Sequence, residues 1–257
     1  SGSWADGEVR VYQENTVGGP GAFTLIVTGD GFIPADLANG GDWEQASAQA
    51  IEGLFSVEPY KTYRPYIRVL RIGAVSAQQG TSYKPGGTDG ACTEIKDTRF
   101  GTMYDTNNSA WCGLYTQGDY QDVNYWPAIG HPGKTIEDAD ALVRSWVIPD
   151  YIANDDAMND VAIVILMNNK TYNGTVNYYS DANTTIGFVC RSTGSGQTGF
   201  VNVFVHEIGG HAIGHLADEY ISSTGELSSA KRAATLDFQR RGFYENVDVT
   251  GSRETCI

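Results

Sequence analysis

Positive charge is scarce in this chain of 257 residues. Its 17 lysines and arginines stand against 31 acidic residues, a formal net charge of −14. A surface of that sign repels a phosphate backbone or an anionic bilayer, which excludes nucleic acid as a partner. Long apolar runs are missing too: nothing approaches the roughly 18 residues of a membrane helix, so no membrane-spanning segment is expected. Four cysteines, Cys92, Cys112, Cys190 and Cys256, lack the paired spacing of a zinc finger or ribbon. Cys92 and Cys112 flank a loop rich in Gly, Asp and Asn that a disulfide could close, with separately buried thiols as the alternative. Methionine occurs three times and never after Met167, and histidine only four times. The start carries no secretory leader, and Ser1-Gly2-Ser3 reads as a boundary rather than a native beginning.

Against these absences, a hydrophobic content of 41% allows a sizeable core, and the length suits one large domain. Residues 1–21 hold a polar strand-like piece, Glu8 to Tyr12, and a Gly-Gly-Pro-Gly turn. They read as an edge hairpin or linker remnant ahead of a domain spanning 22–257. Phe23 to Thr28 is β-branched and apolar, a strand closed by the sharp turn Gly29-Asp30-Gly31. Asp30 is there a turn residue or, at a strand's carboxyl end, a functional one. Pro34 to Val57 predicts a helix broken at Gly40-Gly41 and ended by Pro59-Tyr60, with Trp43, Ala46, Ala50, Ile51, Leu54 and Phe55 facing the core. Tyr66 to Val75 alternates like a half-buried strand, Thr135 to Tyr151 predicts a second helix, and Asp160 to Met167 is the most apolar strand and so central. Glu226 to Arg241 predicts a further helix.

Between them, Ser76 to Gly133 is long and irregular, and His131 sits there in a Gly-His-Pro-Gly turn. Asp89, Glu94, Asp97, Asp105, Asp119 and Asp122 crowd into it; a structural Ca2+ orders loops of this kind, and solvation is the alternative. Asn168 to Asp181 reads as a polar, Tyr-rich loop.

The stretch Val201 to Tyr220 (VNVFVHEIGGHAIGHLADEY) holds three of the four histidines. Two histidines on one helical face bind zinc, and a glutamate beside the first serves as general base to a water on the metal. His206, Glu207 and His211 fit that pattern, except that Gly209-Gly210 makes the spacing five rather than four. Residues four apart on an α-helix lie about 40° from each other, but residues five apart lie about 140° away. A shared ion therefore requires a π-bulge or local unwinding over 207–211, which Gly209 and Gly210 would tolerate most easily. Asp218, past the helix end expected at Gly214, is the leading third ligand, with Glu219 and His215 as competitors. Tyr220 is a candidate oxyanion donor or a packing residue. In zinc peptidases an edge strand near the metal binds substrate backbone, a role open to Thr185 to Cys190.

HEIGGHAIGHLADEY resembles the motif of peptidase family M64, the IgA-peptidase-like zinc metallopeptidases. Phe23 to Phe32, Phe55 to Tyr66, Asp97 to Gly101 and Val161 to Asn169 are similar to further segments of that family. The resemblance covers about residues 22–250, and the extra glycine is similar to a variant in gut-bacterial members. It implies an α/β, zincin-like metallopeptidase fold: a mixed twisted sheet with long helices, one of them zinc-binding. It implies a zinc-dependent metalloendopeptidase acting on a protein or peptide substrate. Zn2+ would be held by His206, His211 and Asp218, with Glu207 as base. It also implies an exported bacterial protein, extracellular, periplasmic or at the cell surface. The alternatives are a non-catalytic zinc-binding or adhesion module of the same fold and a zinc amidase acting on cell-wall peptides. Related sites keep a methionine-bearing turn after the zinc helix; its lack here leads to the expectation that the catalytic domain is truncated at its C-terminal end. Oligomeric state is not readable from the sequence.

Overall fold

In a computed structural model, residues 2–19, 22–84, 94, 96–105, 111–114, 136–178, 184–218 and 228–247 are described. The architecture is mixed α/β. Six strands form one sheet: β1 (Val9–Gln13), β2 (Phe23–Asp30), β3 (Ile67–Ile72), β7 (Val161–Met167), β8 (Gly174–Tyr178) and β9 (Thr185–Cys190), in the order β1-β3-β2-β7-β9-β8. The four interior strands run parallel, while β1 and β8 are antiparallel to their neighbours at the two edges. β7 is buried along its whole length, as expected of a parallel strand covered on both faces.

Strand periodicity divides the core in two. Leu25, Val27, Val164 and Leu166 point to one face, where α1 (Asp42–Leu54) presents Trp43, Ala50, Ile51 and Leu54. Ile26, Ile163, Ile165 and Phe188 point to the other, covered by Val143 and Val147 of α3 (Ile136–Val147). α4 (Phe200–Phe204) lies on the α1 side, burying Phe200, Val203 and Phe204.

Several expectations are corrected. The first helix begins only at Asp42, because Ile33 to Gly40 folds as turns and Gly40 adopts a left-handed φ of 71°. That helix ends at Leu54, ahead of Pro59-Tyr60 as expected, and a separate short helix, α2 (Tyr60–Tyr63), follows. The expected loop 168–181 contains β8, and Thr185 to Cys190 is not an edge strand: β9 is fully buried between β7 and β8. β1 lies at an edge but pairs with β3 rather than in a hairpin, and Trp4 before it is buried in the core. The irregular region contributes a small second sheet of β4 (Ser82–Lys84), β5 (Thr102–Asp105) and β6 (Trp111–Leu114).

Cys92, Cys256, His131, Thr135, Asp89, Asp119, Asp122, Glu219 and Tyr220 lie outside the described residues. Of the acidic set, Glu94 pairs with Lys96 at 2.8 Å, and neither it nor Asp97 joins a metal-type cluster among the described residues. Cys190 is a buried free thiol.

Candidate metal centre

α4 starts at Phe200, after Gly199, and changes pitch after one turn, continuing as a π-helix over Val205–Ile213. Gly214 N donates to Gly209 O at 2.9 Å, the five-residue bond of a wide turn. The expected distortion is therefore present, and longer than a single bulge. Its cause differs in part from backbone freedom, since neither Gly209 nor Gly210 has a positive φ. A Cβ on Gly209 would meet the Tyr60 ring at 2.8 Å and Leu54 at 3.2 Å, so that glycine is required by close packing. A Cβ on Gly210 would meet nothing within 4 Å, so packing does not require a glycine there. Tyr60 also donates its hydroxyl to the Gly209 carbonyl, and burial pushes its pKa up to about 12.

The wide turn brings His206 and His211 to one side. Their Nε2 atoms are 3.2 Å apart, and Asp218 Oδ1 is 3.2 Å from each. Four ligands placed tetrahedrally at zinc's usual 2.0–2.1 Å are separated by about 3.3–3.4 Å. The three donor atoms thus outline one face of such a tetrahedron, with nitrogen and carboxylate chemistry suited to Zn2+ and a fourth direction left over. They form the one group of this kind among the described residues. His211 Nδ1 donates to the Leu216 carbonyl at 2.6 Å, which turns its Nε2 lone pair toward the cluster. The pKa of His206 is lowered, first by desolvation and then by His211, against the opposing pull of Asp218.

His215 does not join them. Its backbone is left-handed, φ 52°, and its ring stacks on Phe243 with centroids 4.0 Å apart. Burial lowers its pKa.

Glu207 projects from the same turn toward β8. Burial raises its pKa to about 7; His211 opposes the rise and Asp218 adds to it. A Cβ on Gly174 would fall 2.5 Å from Glu207 Cγ and 2.8 Å from Oε1, so the glutamate occupies the space that a glycine leaves in the edge strand. Gly174 is a site residue that sequence reasoning missed. A glycine within a strand signals such an approach, but Asn173-Gly174 reads as a turn while the segment is taken for a loop. Asn246, which binds the Ala217 backbone, was also missed, and no sequence signal marks it.

Searches against family models and curated proteins find no match to this chain.

Proposed function

We propose that the chain is a zinc-dependent metallopeptidase of zincin-like architecture, in keeping with its resemblance to the IgA-peptidase-like family. The observation that supports this most is the 3.2 Å triangle of His206, His211 and Asp218 donors with an acid of near-neutral pKa beside it. Zn2+ held by these three residues would supply Lewis acidity and a water that ionises near neutral pH. Glu207, beside His206 and turned toward β8, would accept a proton from the attacking water and return it to the departing amine.

β8 is the sheet edge next to the π-helix, and it runs antiparallel to β9. An extended peptide pairing along it would pass the Gly174–Glu207 contact, bringing its backbone to the base. This role falls to β8 rather than β9. A purely zinc-binding module has no need of a carboxylate beside its ligands, so Glu207 favours catalysis over the adhesion reading.

The test is hydrolysis of casein by the full chain, with bound zinc measured in parallel. Activity should vanish on chelation, return with Zn2+, and vanish in Glu207→Gln while zinc stays bound. Stoichiometric zinc without hydrolysis of any protein or peptide substrate would leave the binding module standing.

A further inference from the structure

The ligand donated by Asp218 has no regular structure behind it. The π-helix ends at Ile213, and residues 215–218 are irregular, beginning with a strained left-handed His215. Such a stretch does not hold a carboxylate to tenths of an ångström without outside contacts. Those contacts come from a turn about 28 residues further along the chain, after α5 (Ser229–Arg240).

Asn246 grips Ala217, the residue before the ligand, by both backbone groups. Ala217 N donates to Asn246 Oδ1 at 2.8 Å, and Asn246 Nδ2 donates to Ala217 O at 2.9 Å. Tyr244 N donates to His215 O at 2.7 Å, and Phe243, itself buried, stacks beneath the His215 ring. The turn is fixed in its own right: Gln239 of α5 donates Nε2 to the carbonyls of Tyr244 and Val247 at 2.9 and 2.7 Å. The gripped loop also contains Leu216, whose carbonyl orients His211. One carboxamide thus stands behind two of the three donors. Only a side chain with a donor and an acceptor on one planar group, at this length, can hold both groups of a single peptide residue.

We propose that Asn246 is the positioning residue of the metal centre, holding Asp218 and the Leu216 carbonyl at the geometry the ion requires. This rests on the zinc reading above. Partners of this kind behind the ligands typically change metal affinity about 10- to 100-fold when removed.

The experiment is zinc affinity of the full chain by competition with a chromophoric chelator, together with the visible spectrum of the Co2+-substituted protein. Asn246→Ala should fold, by circular dichroism, and bind Zn2+ at least about tenfold more weakly, with an altered Co2+ spectrum. Asn246→Gln, which keeps the amide but misplaces it, should lose affinity similarly. In an Asp218→Ala background, adding Asn246→Ala should cost clearly less than it does in the parent, because only its hold on His211 through the Leu216 carbonyl remains. An equal loss in both backgrounds, unchanged affinity in both Asn246 variants, or failure of both to fold would overturn the assignment. Failure of the unaltered chain to bind zinc would overturn the functional reading and this one with it. Unchanged binding in the variants alone would overturn only this one.

Discussion

Gly174 and Glu207 form a pair in which one residue's missing side chain is the other's binding pocket. Gly174→Ala pushes the carboxylate off the strand without touching a metal donor. Proton transfer by a positioned base contributes about 10²–10⁴-fold, so kcat should fall by about 10²-fold, with KM and bound zinc nearly unchanged. Steady-state kinetics with metal analysis would check this, and a fall in zinc content to match the activity would contradict it. The near-neutral pKa of Glu207 has a second, thermodynamic effect in the metal-free protein. Its folded-state pKa of about 7 lies above its ordinary 4.5, so the folded state holds the proton more tightly than the unfolded chain. The cost of burying the charge is absent below about pH 4.5, grows between 4.5 and 7, and is full above 7. Each unit is about 1.4 kcal/mol, so Glu207→Gln should stabilise the metal-free chain by up to about 3.5 kcal/mol at pH 8 and by almost nothing at pH 4.5. Melting curves at the two pH values would read the difference.

Each turn of a π-helix closes on the fifth residue rather than the fourth, one more than an α-helical turn. Deleting Gly210 removes the extra residue together with the wide turn, and leaves the flanks in register. The deleted variant should therefore keep zinc within about tenfold of the parent affinity. Loss of binding would mean that the wide turn itself, and not only the convergence of His206 and His211, is required. This element was legible beforehand because the five-residue spacing permits a shared ion in no ordinary helix. The helices and apolar strands were legible for the same kind of reason: Trp43, Ala50, Ile51 and Leu54 recur at helical period, and β7 is continuously apolar. β8 was not. Its residues Gly174 to Tyr178 are mostly polar and owe their extended form to pairing with β9, a non-local cause that composition does not carry. The distinct duties of Gly209 and Gly210 were hidden likewise, since Tyr60 meets Gly209 across 149 residues of sequence.

A buried carboxylate helps to join the two sheets. Asp30, at the end of β2, accepts from Phe100 N at 2.8 Å, Thr98 Oγ1 at 2.7 Å, Thr102 N at 2.9 Å and Thr102 Oγ1 at 2.6 Å. It thereby ties the segment entering β5 to the main sheet, a role of anchor rather than reactant. Asp30→Asn sets an amide donor against these donors, and should cost about 2–4 kcal/mol in urea unfolding while leaving zinc affinity intact. The way Ala217 is gripped by Asn246 also sets an order of events in time. On a ribosome His206, Glu207, His211 and Asp218 emerge first, and the residue behind the third donor follows only after a further helix. The sheet can be complete while the centre is still open. Zinc uptake on refolding is therefore expected as a separate, slower phase trailing the tryptophan fluorescence change, visible by stopped flow with a zinc-responsive dye. On the proposed function the ion would be acquired last, so that the half-made chain would be a poor enzyme during the interval in which it is itself an unfolded substrate.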